Sequence, residues 1–195
     1  AKDYPTTKAL VKFADEVYEK SNGRIAIDVY ESSILGDEVS YMEQLQAGTV
    51  DVAKLSLGTL SGLYEDTQVF LLPFLFKNNT EMWKVLEGEV GTTVKNGLND
   101  YSIQGIGFTD NGSRCFYTTT EVDSLDDFKG LAIRVQNNQL MNSMVSCLGG
   151  NPVNVSANEV YSALQTGVCK GGENNPNIIL SDSLYEVAPY VLMDN

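Results

Sequence analysis

Helical and strand patterns alternate along this chain, which limits it to an α/β fold with mostly parallel sheets. Leu10, Phe13, Ala14 and Val17 recur at i, i+3, i+4 and i+7, one face of a helix. Asn22-Gly23 supplies its stop. Ile25, Ile27 and Val29 then alternate as a half-buried strand. Asp37 is placed to cap a helix carrying Val39, Met42 and Leu45 and closed by Gly48. A strand is predicted at "TVDVAKLS" (49–56). Next come a helix from Asn79 or Thr80 through Met82, Trp83, Val85 and Leu86, a further helix over 89–99, and a strand at "SIQGIGFT" (102–109).

The second half follows the same rhythm. Asn111-Gly112 marks a turn, and "RCFYTTT" (114–120) reads as a strand. Ser124 caps a short turn, and the apolar run around Arg134 reads as a buried strand. Leu140, Met141, Met144, Val145 and Leu148 outline a helix ended by Gly149-Gly150. Ser156 and Glu159 have the spacing of a capping box ahead of Val160, Tyr161, Ala163 and Leu164. A helix after Pro176 and a strand at "YVLM" (190–193) follow. "LQAGTVDVA" (45–53) is echoed by "LQTGVCKGG" (164–172), each running from a helix end into a strand. The expectation is two lobes built alike, residues 1–111 and 112–195, with the crossover near 109–113. The cleft between such lobes is where folds of this class bind small molecules.

Charge and composition narrow the chemistry. Thirteen basic residues face 26 acidic ones, a net charge of −13, which disfavours a nucleic-acid partner. Histidine is absent, and Cys115, Cys147 and Cys169 form no C-x-x-C, so zinc and haem motifs and histidine-dependent triads have no basis. No cofactor or metal site is expected. No Walker or G-x-G-x-x-G loop is present. The longest apolar run, "VFLLPFLF" (69–76), is too short to span a membrane.

What remains is a small polar set near strand ends. Arg134 lies within Leu131, Ala132, Ile133 and Val135, and a buried guanidinium requires an anion. That anion is either an internal Asp or Glu or the carboxylate of a ligand. Arg114 is either an exposed strand-end charge or a second ligand contact. Asn174, in "GGENNP" (171–176), either caps the helix at Pro176 or adds an amide donor to a carboxylate site.

At these residues the chain resembles the extracytoplasmic solute receptors of TRAP (tripartite ATP-independent periplasmic) transporters. The likeness runs in order through "ALVKFADEVYEKSNGRIAIDVYESSILGDE", "LQAGTVDVA", "LLPFLF", "NGSRCFYTT", "DFKGLAIRV", "LGGNPVNVSANEVYSALQTGV" and "GGENNP". The resemblance implies a two-lobe periplasmic-binding-protein-like fold that closes on a small organic acid and delivers it to the TRAP membrane subunits. It implies a periplasmic or extracytoplasmic location, with a signal sequence not present in this chain, and no enzymatic activity. It assigns Arg134 to the ligand carboxylate, Asn174 to the same group and Arg114 to a second, more variable contact. Ser56, Asn137 and Ala157 are expected to shape the rest of the pocket. Lys170 stands where the family commonly has an acid. The family's first strand, its return strand and its long C-terminal helix have no counterpart here, so the chain is expected to be truncated at both ends and both lobes incomplete. A sensor domain of the same fold and a carboxylate-handling enzyme are the alternatives.

Overall fold

A computed structural model describes residues 4–193. The second half forms a five-stranded sheet in the order β3-β2-β4-β1-β5. Its strands are β1 (Cys115–Thr118), β2 (Ala132–Val135), β3 (Asn151–Asn154), β4 (Gly171–Asn174) and β5 (Tyr190–Val191). β2 runs parallel to β3 and β4, while β1 is antiparallel to β4 and β5. The expected mostly parallel sheet is therefore mixed. Crossover helices lead from β2 to β3 and from β3 to β4, which makes those three strands parallel. β1 arrives from the first half without such a crossover and enters beside β4 in the opposite sense.

β3 carries Pro152 and was not apparent in the sequence pattern. As the sheet's edge strand it tolerates a residue without an N–H. Strand alternation divides the core between the two sheet faces. Cys115 and Tyr117 pack with Val160, Leu164, Cys169 and Leu184 on one side. Phe116, Ile133 and Val135 pack with Phe128, Met141 and Val145 on the other.

The helices follow their start and stop signals. They are α1 (Pro5–Lys20), α2 (Glu38–Gln46), α3 (Leu57–Leu60), α4 (Asn79–Leu86), α5 (Glu89–Gly97), α6 (Gln139–Cys147), α7 (Val160–Gln165) and α8 (Pro176–Ser181). Asp37 caps α2 by accepting from Ser40 N at 2.9 Å, and Asn138 caps α6 by accepting from Met141 N at 3.0 Å. The box expected at Ser156 and Glu159 does not form. A 3-10 turn over Ala157–Glu159 occupies that place, and Ser156 makes no side-chain cap there.

The first-half segments expected as strands, around Ile25–Val29, 49–56 and 102–109, lack strand structure among the described residues. The alternation of apolar residues is present, but a strand also needs a neighbour to accept its ladder hydrogen bonds. These three segments do not pair with one another. Ile25 and Ile106 are correspondingly 53% and 70% exposed.

Candidate functional site

A cavity of about 1840 Å³ lies between the first-half segments and the mouth of the sheet. Arg134, Asn174, Arg114, Ser56 and Ala157 all line it. Asn137 does not; it is exposed, while its neighbour Gln136 faces the cavity. Side chains alternate along a strand, so Gln136 shares a face with Arg134 and Asn137 is turned away.

Arg134 is 2% exposed. Ile133 and Val135 point into one core, so Arg134 points to the opposite face. There it shares a row with Gly172 of β4 and Tyr117 of β1. Gly172 has no side chain, and the Tyr117 ring fills that space: a Cβ on Gly172 would lie 2.5 Å from the Tyr117 hydroxyl. Arg134 Nε donates to Val155 O at 2.9 Å, which fixes the plane of the guanidinium. Among the described residues Arg134 forms no ion pair, and its two terminal nitrogens donate to no protein acceptor. Burial pulls its pKa below the usual arginine value, and the nearby Tyr117 and Glu173 offset part of that. An anion placed on those nitrogens would relieve the burial cost.

Arg114 differs. It forms an ion pair with Glu173 through Nε and Oε2, and Nη2 also donates to Oε1 at 3.0 Å and to the backbone oxygen at 2.8 Å. Glu173 is 3% exposed. Burial, the largest single influence, lowers the Arg114 pKa, but the Glu173 carboxylate together with Tyr117 and Tyr4 outweighs it, so the net displacement is upward. In place of the exposed strand-end charge expected as one alternative for Arg114, the structure shows an internal ion pair at the cavity edge.

The helix cap at Pro176 is Asn175, whose Oδ1 accepts from Ile178 N at 3.0 Å. Asn174 is thereby released from capping. Its Oδ1 accepts from Asn175 N at 2.9 Å, which orients the amide, and its Nδ2 donates to no acceptor among the described residues. Two oriented donor groups, Arg134 and Asn174, thus line the same cavity with donors unused.

The opposite wall is built on Glu38 at the start of α2. Glu38 Oε2 accepts from the Ser56 hydroxyl and from Thr59 Oγ1 at 2.6 Å, and Lys54 Nζ lies 3.9 Å from Oε1. Ser56 also caps α3 by accepting from Thr59 N. Tyr41 packs alongside, its pKa driven upward by burial and then by the Glu38 charge. Gln136, the residue after β2, reaches across with Nε2 to Ser56 Oγ at 3.3 Å. Sequence reasoning missed Glu38, Gln136 and Glu173. An acid in the first turn of a helix resembles ordinary surface charge that favours the helix dipole, and that hid Glu38. Lys170 is exposed and does not line the cavity, so its charge belongs to the outer surface.

Among the described residues no cluster of His, Cys, Asp or Glu could hold a metal ion, and no helix is long and apolar enough to cross a membrane. The chain is 37% identical over 188 residues to a solute-binding protein of Chromohalobacter salexigens, covering 96% of this chain and 56% of that one. It is 34% identical over 196 residues to the C4-dicarboxylate-binding periplasmic protein DctP of Rhodobacter capsulatus, covering 100% and 59%. It superposes with a TM-score of 0.93, at 37% identity, on a TRAP periplasmic solute binding protein from Xanthobacter autotrophicus with bound β-D-galacturonate, covering 96% and 63%. The chain thus spans less than two thirds of the length of these relatives. The model of the bacterial extracellular solute-binding proteins, family 7, matches residues 1–195, and the chain belongs to that family.

Proposed function

We propose that this chain is the ligand-binding part of an extracytoplasmic receptor that captures a small organic acid and passes it to a TRAP-type membrane carrier. The observation that carries this is Arg134: a buried guanidinium, fixed through Nε, with both terminal nitrogens unpaired toward a cavity. A carboxylate matches two parallel guanidinium N–H groups, and Asn174 Nδ2 supplies a further donor to the same ligand group. Galacturonate and C4-dicarboxylates, the ligands named for two of the relatives, have a carboxylate in common. Arg114 serves the site by neutralising Glu173, so that the Glu173 charge does not compete for Arg134. Ser56 and Ala157 shape the pocket. In this proposal residues 1–111 and 112–195 act as two lobes, and binding favours their closed arrangement because the ligand contacts both.

The role is binding and release rather than turnover. The donors at Arg134 and Asn174 hold a carboxylate, and the nearest acids, Glu173 and Glu38, are already engaged by protein donors. The test is a thermal-shift screen of the full-length protein against organic acids, with Arg134→Ala as control. A ligand at one hundred times its Kd stabilises by about 2.7 kcal/mol, several degrees in Tm. A shift abolished in the variant supports the assignment; one that survives places the carboxylate elsewhere.

A further inference from the structure

We propose that Asn138 is a positioning residue that clasps the two walls of the cavity together, and that its hydrogen bond to Ser61 sets how long a bound organic acid stays. This rests on the receptor reading above, in which residues 1–111 and 112–195 act as two lobes.

The clasp is built on the turn that follows β2, the strand of Arg134. Asn138 uses both ends of its amide there. Its Oδ1 caps α6 by accepting from Met141 N at 3.0 Å. Its Nδ2 donates to the first half, to Ser61 Oγ and to Gly58 O at 3.4 Å. The Ser61 hydroxyl donates in turn to Gly58 O at 2.7 Å, so its oxygen is turned to accept from Asn138. Asn138 and Ser61 are both buried. One side chain thus fixes the start of α6 and ties it to the end of α3.

Gln136 makes a parallel contact. Its Nε2 donates to Ser56 Oγ at 3.3 Å, and Ser56 is itself held by Glu38 of α2. The Gln136 amide occupies the space that Gly58 leaves open. A Cβ on that glycine would collide with Gln136 Oε1 and stand 3.0 Å from its Cδ. These contacts between the halves are polar. A polar contact that water replaces on opening is worth little net, whereas an apolar seam loses its burial outright. The clasp therefore biases closure without making it permanent, as a receptor that must release its ligand requires. Arg134 holds the ligand from the sheet side, and the wall carrying Ser56 has to move before the ligand leaves.

The test is stopped-flow kinetics on the full-length protein with D-galacturonate and with succinate. It compares wild type, Ser61→Ala, Asn138→Ser, the double variant, Gly58→Ala and Arg134→Ala. Serine at 138 keeps the α6 cap but is too short to reach Ser61. Ser61→Ala and Asn138→Ser should each release ligand about fivefold faster, the order of one buried hydrogen bond. Association should change by less than about twofold. The double variant should release no faster than the faster single, because both remove the same bond. Gly58→Ala favours the helix yet displaces Gln136, so it too should speed release. A merely structural loss would lower the folded fraction and leave the release rate of folded molecules unchanged. Should Asn138→Ser fail to fold, Ser61→Ala and Gly58→Ala decide. Release at the wild-type rate in either of those two overturns the clasp, and so does full additivity in the double variant. If such a result comes with binding that Arg134→Ala abolishes, the receptor reading survives and only the clasp falls. If neither acid binds, or binding is indifferent to Arg134, both fall.

Discussion

Arg114 Nη2 donates to Glu173 twice, to Oε1 at 3.0 Å and to the backbone oxygen at 2.8 Å, so the buried acid nearest Arg134 already has its partner. Glu173 and Arg114 sit on either side of the β4–β1 pairing, and their union leaves Arg134 without an ion pair among the described residues. The two arginines look equivalent in sequence, yet they should behave differently when removed.

Loss of Arg114 should act on stability. Arg114→Ala strands the Glu173 carboxylate in a buried setting, and breaking such a pair costs about 3 kcal/mol. Urea unfolding should show the loss, and adding Glu173→Gln to Arg114→Ala should recover much of it. A single variant as stable as wild type would mean that the pair contributes nothing to the fold.

Loss of Arg134 should act on binding. Arg134→Lys keeps a charge but not the planar fork, and the Val155 carbonyl would compete for the ammonium. Affinity for any organic acid that wild type binds should fall by at least about 2 kcal/mol, roughly thirtyfold. Stability without ligand should change far less than affinity, because the lysine keeps a buried positive charge at the same place. Equal affinity in the lysine variant would remove the bidentate contact from the account.

How legible the molecule was in its sequence depends on how local each signal is. Helix signals are local: Asp37, Asn138 and Asn175 cap through their own backbone neighbours, and those helices lie where the pattern puts them or within a residue or two. Strand signals are not. Cys115–Thr118 and Ala132–Val135 became strands because partners flank them, whereas the equally alternating Ile25, Ile27 and Val29 did not. The burial of Arg134 was legible from the apolar run around it. That Glu173 belongs to Arg114 rather than Arg134 depends on sheet register, which no local pattern encodes. Ser56 illustrates the same limit. Its place on the cavity wall was foreseen, but its hydroxyl is already bonded to Glu38, eighteen residues earlier.

Gly172 should resist even alanine. A methyl there would meet the Tyr117 hydroxyl at 2.5 Å and its Cζ at 2.8 Å, and Tyr117 is fully buried. In a strand without conflict, glycine to alanine stabilises by roughly 0.5–1 kcal/mol. Here overpacking should win and cost about 1–3 kcal/mol. The displaced ring should also alter the near-ultraviolet circular dichroism. A more stable variant would show that the ring moves aside freely.

Asp37 should give a pH-dependent signature. The backbone N–H of Ser40, then its hydroxyl, hold the Asp37 carboxyl below its usual value. A carboxyl whose folded pKa is depressed adds stability above its unfolded pKa, about 3.9, and loses it as pH falls through the folded value. Asp37→Ala should therefore cost about 1 kcal/mol near neutral pH, the usual worth of an N-cap. The gap to wild type should narrow as pH drops below about 4. Asp37→Asn keeps an equally good cap without a titrating group, so relative to Asp37→Ala its advantage should stay flat with pH. Urea titrations at neutral and acid pH separate the two. A gap between wild type and Asp37→Ala that is the same at both pH values would mean that the cap works through the neutral hydrogen bond alone, with no contribution from its charge.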